Sequence, residues 1–192
     1  FTGNVTNLQL SPTVTSNNGD ISFGGTIDGS STLTIVAGTG AVSVSGAVGG
    51  SSSPDAFTVS SAGQVDLGSV STVNSNIAVT GTNIDLNGTN YASDSGGITL
   101  SGPVDLDSGA GTTFGNGTTG PITFTSTING AATLNISNSD SVIFAGAVGG
   151  TAALTGVTVN SSVSGDVNIN GGAITTTGTQ SYSRPVLLGA NT

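Results

Sequence analysis

Short apolar-x-apolar triplets recur along this chain about every twenty residues, and that interval constrains the fold more than any other feature. They run Ile21-Ser22-Phe23, Val42-Ser43-Val44, Val65-Asp66-Leu67, Ile84-Asp85-Leu86 and Val104-Asp105-Leu106. They continue as Ile122-Thr123-Phe124, Val142-Ile143-Phe144, Val167-Asn168-Ile169 and Val186-Leu187-Leu188. Alternation within a triplet is the period of a strand that buries one face. A second ladder lies between the first: Leu33-Thr34-Ile35, Phe57-Thr58-Val59, Ile77-Ala78-Val79, Ile98-Thr99-Leu100, Leu134-Asn135-Ile136 and Val157-Thr158-Val159, with only Phe114 in the gap after residue 100. Two phase-locked ladders predict an all-β parallel β-solenoid (β-helix) of about 20 residues per coil, each coil stacking its strands on the one below. Nine rungs, at about 4.8 Å per step, make a stack about 40 Å tall. Tandem antiparallel β-sandwiches of ~100 residues are the alternative, because short strands with frequent turn signals suit them too.

A longer repeat supports a single segment over residues 1–192. GDISFGGTIDGSSTLTIVAGTGAVSVSGAVGG (19–50) aligns with GPITFTSTINGAATLNISNSDSVIFAGAVGG (120–150), so the repeat is about 100 residues. Its copies are 1–99 and 100–181, with a third starting at 182. Phe1-Thr2-Gly3-Asn4-Val5, Leu100-Ser101-Gly102-Pro103-Val104 and Tyr182-Ser183-Arg184-Pro185-Val186 are three versions of one opening motif. The ends carry no polar cap, and the expectation is either a piece of a longer array or copies that stack head-to-tail.

Composition fits stacking. Gly, Thr, Ser and Asn supply 107 of the 192 residues, while the charged groups are ten Asp and one Arg, Arg184. In a parallel in-register stack each outward position recurs at the strand spacing, so a column of like charges repels itself while Thr, Ser and Asn tolerate the repetition. The chain has no Glu, Lys, His or Cys. Most general-base, Schiff-base and thiol chemistries therefore lack a side chain, and imidazole or thiolate metal sites are excluded. A net charge of −9 argues against nucleic acid. No apolar run approaches the ~18 residues of a spanning helix, so no membrane insertion is expected.

The segment TTTGTQSYSRPVLLGANT (Thr175 to Thr192) resembles the T-G-x-Q-x-Y-x-x-x-V-x-L-x-x-x-T cassette of large bacterial β-strand-repeat surface proteins. These are the filamentous-haemagglutinin-like exoproteins and autotransporter-type adhesins. The ISFGGTI and GAVGG pieces extend the likeness over nearly the whole chain. The resemblance implies a right-handed parallel β-helix, secretion to the extracellular cell surface, and a stalk or adhesive role without catalysis. It also implies a much longer polypeptide.

Three features invite a site. Asp66, Asp85 and Asp105 occupy the central, outward position of consecutive triplets, so in register they form a column of carboxylates. Oxygen-only ligands of this kind suit a hard cation, and Ca²⁺ bridging part of the column is the metal expectation, set against a solvated acidic stripe. Asp105 and Asp107 are a carboxylate pair by spacing, but no substrate-binding aromatics accompany them, and no catalytic residue or other cofactor is assigned. Thr34, Thr58, Thr99 and Thr158 occupy equivalent outward positions, interrupted by Ala78 and Asn135, a pattern that raises ice binding as a remote reading. Ile143 and Leu187 are the notable apolar outward positions. The expected function is a stiff, non-catalytic scaffold whose partners are copies of itself or neighbouring repeats; the alternative is an adhesin module recognising glycans or a host surface.

Overall fold

A computed structural model describes residues 1–116, 120–137, 140–160 and 165–189, with the side chains of Ser61 and Asn116 left aside. The last three residues of the C-terminal cassette, 190–192, lie outside this set. The chain winds as a parallel β-solenoid of about eight turns, with about 22 residues per turn. Among the described residues every strand pairing is parallel, which excludes the antiparallel sandwiches.

Each turn visits three sheets in the same order. The long sheet has nine strands: Thr13–Thr15, Leu33–Val36, Phe57–Ser61, Ile77–Thr80, Ile98–Ser101, Ile122–Phe124, Val142–Phe144, Val167–Ile169 and Val186–Leu188. The acid-bearing sheet runs Ile21–Phe23, Val42–Val44, Gln64–Leu67, Asn83–Leu86, Val104–Leu106 and Ile128–Asn129, and isolated bridges carry it on through Val148 to Ile174. The third begins with Val5–Leu8 and Ile27–Gly29, and is joined through Val48 to Val70–Thr72, Asn90–Ser93, Thr112–Asn116, Thr133–Ser137, Gly156–Asn160 and Gln180–Tyr182. The expected interval of twenty is short of this because it counts the step from Val104 to Ile122 as one rung, whereas Val104 pairs with Ile128 and Ile122 with Ile98.

Register corrects the ladders after residue 104. Ile21, Val42, Val65, Ile84 and Val104 stack as predicted, but Val104 then pairs with Ile128, not Ile122. Ile122, Val142, Val167 and Val186 instead continue the long sheet from Leu33, Phe57, Ile77 and Ile98. Leu134 and Val157, expected above Ile98, lie in the third sheet, and so does Phe114, which pairs between Tyr91 and Ile136.

The sequence repeat therefore climbs about four and two-thirds turns, and its second copy lands one face round from the first. Ile21-Ser22-Phe23 is acid-bearing sheet where Ile122-Thr123-Phe124 is long sheet; Val5, Val104 and Val186 of the three opening motifs fall on three different sheets. Local contacts travel with the sequence all the same. Asp28 Oδ1 accepts from the backbone N–H groups of Ser51 and Ser52 at 2.8 and 3.1 Å. Asn129 Oδ1, its equivalent, accepts from Thr151 and Ala152 at 2.9 and 3.3 Å.

Inward triplet positions fill one continuous core in which Ile27, Phe57, Ile84, Phe114, Phe124 and Phe144 are fully buried. Tyr91, Phe114, Phe124 and Phe144 form a stair of rings with centroids 5.3, 5.1 and 5.6 Å apart, an aromatic spine of the kind that adds to simple area burial. Corners are built of stacked glycines because successive backbones touch there. A Cβ on Gly46 would lie 2.3 Å from the carbonyl oxygen of Gly25, and one on Gly102 2.1 Å from that of Gly81. Gly102 also has φ +151°, a region L side chains rarely adopt.

Candidate functional site

The acid-bearing sheet places the three predicted carboxylates in one column. Asp66 pairs with Asp85 and Asp85 with Asp105, so they sit on adjacent strands about 4.8 Å apart, with Ser43 below and Asn129 above. Each occupies an outward position between two buried apolar neighbours and is only partly exposed.

Two amides that carried no signal in the triplets complete the arrangement. Gln64 Nε2 donates to Asp66 Oδ1 at 3.0 Å and to Asp85 Oδ2 at 2.7 Å, bridging two rungs. Asn83 Nδ2 donates to Asp85 Oδ1. Gln64 and Asn83 are register partners, each two residues before its acid, so side chains of one strand face meet as period two requires. The Q-V-D and N-I-D pattern was the available signal. At the next rung the equivalent residue is Pro103, which has no side-chain donor, so Asp105 lacks this support.

The carboxyl of Asp85 is pushed up to about 6. Burial beside the sheet is the largest cause, followed by its hydrogen bond with Asp66 and the charges of Asp66, Asp107 and Asp105. Asp107, paired by spacing with Asp105, thus belongs electrostatically to this cluster. The column is a stripe of like charge that the amides of Gln64 and Asn83 relieve. Among the described residues no three acidic side chains gather closely enough to hold a metal ion. Beside the column lies a depression lined by Ser43, Val44, Ser45, Asp66, Gly68 and Asn87, which offers hydroxyl, carboxylate and amide groups beside one apolar side chain and without an aromatic ring.

The threonine column runs differently from its expected path. Thr34, Thr58, Ala78 and Thr99 are register partners on the long sheet, with Thr13 before them and Thr123 after. Thr158 pairs with Asn135 on the third sheet, so it is not part of that column. Ile143 and Leu187 do share the long sheet's outward column, separated by Asn168. No family model, curated protein or solved structure matches the chain.

Proposed function

We propose that this chain is a non-catalytic structural segment of an extracellular bacterial surface protein or filament, whose work is length, stiffness and display. The observation that carries the reading is the unbroken nine-strand sheet over a single continuous core. In such a stack each coil contacts its neighbours above and below, and bending must strain ladder hydrogen bonds and core contacts together. The chemistry of the chain is spent on repetition: tolerant outward residues, apolar inward ones and glycine corners. Small-angle X-ray scattering of the purified chain tests this. A rigid rod with a length set by its rungs supports it; a collapsed or flexible profile removes it.

An adhesin module recognising glycans is the second reading, favoured by the depression at Ser43, Ser45, Asp66 and Asn87, whose groups are those that hydrogen-bond sugar hydroxyls. Glycan-array binding lost on Asp66→Asn supports it, and an array without signal sinks it.

A further inference from the structure

We propose that the depression over Gly68 seats one amino-sugar residue with a free, protonated amine, its ammonium on Asp66 and its hydroxyls on Ser43, Ser45 and Asn87. This rests on the glycan reading and names the class of sugar. The depression is the gap left by an absent side chain. Past the acid column the ladder continues by one residue: Ser45 N–H donates to the Phe23 carbonyl, Gly68 N–H to that of Val44, Asn87 N–H to that of Leu67 and Asp107 N–H to that of Leu86. Ser45, Gly68, Asn87 and Asp107 therefore form a second outward column beside Ser43, Asp66, Asp85 and Asp105. Gly68 stands between Ser45 and Asn87, so two strand steps, roughly 10 Å, separate those side chains with only a glycine between them. A Cβ at Gly68 would lie 2.7 Å from the Gly46 carbonyl oxygen, so the close approach of the two coils keeps the gap open. Its volume is about 340 Å³, at the lower limit of the ~300–1,000 Å³ of small-molecule sites, which suits a single sugar ring.

The polar groups lining the gap are not used by the fold. Elsewhere, asparagines tie one coil to the next through a backbone N–H: Asn18 Oδ1 accepts from Thr39 at 3.1 Å, Asn76 Oδ1 from Gly97 at 2.8 Å and Asn129 Oδ1 from Thr151 at 2.9 Å. Among the described residues no such bond engages the side chain of Asn87, nor the hydroxyls of Ser43 and Ser45. Two hydroxyls and an amide, each able to donate and accept, thus converge on one gap, a set that matches the hydroxyls of a sugar.

Charge selects among sugars. Asp66 accepts one amide bond, from Gln64 Nε2 at 3.0 Å, where a carboxylate has about four lone-pair positions. Its neighbour in register is Asp85, with Asp105 on the following strand and Asp107 in the second column. The fold supplies no counter-charge here. Arg184, the chain's one cationic side chain, lies several coils away with its Nε donating to the Gly165 carbonyl at 3.1 Å. An ammonium in the gap supplies that charge, and its three N–H groups form charge-assisted bonds to Asp66 and to the oxygens around it. An acetylated amine lacks the charge, and a uronic acid sets a further carboxylate against the column.

The test is titration of the isotope-labelled chain with D-glucosamine, N-acetyl-D-glucosamine, D-glucose and D-glucuronate, followed by backbone amide shifts at neutral pH and low salt. Glucosamine is expected to move the Ser45, Gly68 and Asn87 amides and to saturate at about a tenth of the glucose or N-acetylglucosamine concentration, while glucuronate moves none of them. Asp66→Asn should reduce glucosamine to the level of glucose. Asn87→Ala, at an exposed side chain without an internal bond, should weaken glucosamine, N-acetylglucosamine and glucose while keeping their order, and it carries the test if Asp66→Asn does not fold. Glucosamine and glucose that bind alike over Gly68 overturn the amino-sugar assignment and leave the glycan reading standing. Shifts centred on Asp105 and Asp107, a preference that survives Asp66→Asn, or binding unmoved by Asn87→Ala means attraction to the column at large and overturns the site. Amides that no sugar moves remove both the assignment and the glycan reading.

Discussion

Asp85→Asn should stabilise this protein at neutral pH, although it removes a charged group that accepts two amide hydrogen bonds. The wild-type carboxyl is raised to about 6, against about 3.9 for an unperturbed Asp. A raised acid pKa means the folded state holds its proton more tightly than the unfolded chain. Its contribution to stability is then most favourable below about pH 4 and falls as pH rises through 4 to 6, leaving a deficit at pH 7.5. Two pH units correspond to about 3 kcal/mol at face value. Asp85 stands on an outward, partly exposed position, so solvent screening brings the cost nearer about 1 kcal/mol. Asparagine keeps an oxygen to accept from Gln64 or Asn83 and gains an N–H₂ to donate to Asp66 or Asp105. The variant should therefore melt about 2–4 °C higher at pH 7.5, match wild type at pH 4, and show a flatter profile between. Thermal melts across that range by circular dichroism give the profile. An Asp85→Asn protein that is less stable at pH 7.5, or that keeps the wild-type pH slope, refutes the like-charge account of the column.

Other outcomes follow from the same contacts. Gly46→Ala drives a methyl to 2.3 Å from the Gly25 carbonyl oxygen and should cost about 2–3 kcal/mol in chemical denaturation, while Gly50→Ala, whose nearest neighbour is the Ala47 methyl at 3.5 Å, should stay within about 0.5 kcal/mol. Tyr91→Phe removes the buried hydroxyl that donates to the Leu67 carbonyl at 2.9 Å and accepts from Gly88 N–H at 3.1 Å, and should cost about 1 kcal/mol by the same measurement. Asp28 is held below the usual carboxylate range chiefly by the Ser51 N–H, so Asp28→Ala should cost about 2 kcal/mol at pH 7. That difference should persist to pH 5 and fade only as pH drops through the depressed folded value, below about 4. Millimolar Ca²⁺ and Mg²⁺ should raise the wild-type midpoint alike, by screening; a Ca²⁺-specific rise that Asp85→Asn abolishes would instead put a cation in the column.

The solenoid was legible because its inward residues alternate, and alternation survives in strands as short as Ile21-Ser22-Phe23. The acid column was legible for the same reason, since all three Asp precede the point where the ladders part. Beyond Val104 the spacing misleads. Ile122 follows Val104 by nearly the expected interval, whereas the true partner, Ile128, sits in a two-residue strand with no triplet to mark it. The third sheet was hidden because several of its rungs are single apolar residues, Val48 among them, or strands such as Tyr91-Ala92-Ser93, whose second inward position is Ser93. Gln64 and Asn83 are not legible in the sequence because an amide beside a strand acid has no periodic signature; register sets Gln64 of the neighbouring strand beside Asn83 and against the same carboxylate.

Disulfide trapping tests the central claim, three in-register sheets with the repeat displaced by one face, most directly. The chain has no cysteine, so engineered pairs form without background. Adjacent parallel strands lie about 4.8 Å apart, within the Cα separation of about 4.4–6.8 Å that a disulfide spans. The account predicts that Thr99→Cys with Thr123→Cys and Asp105→Cys with Asn129→Cys cross-link on mild oxidation, while Asp105→Cys with Thr123→Cys does not. Cross-linking of the last pair in place of the first two would contradict it and restore a single twenty-residue ladder.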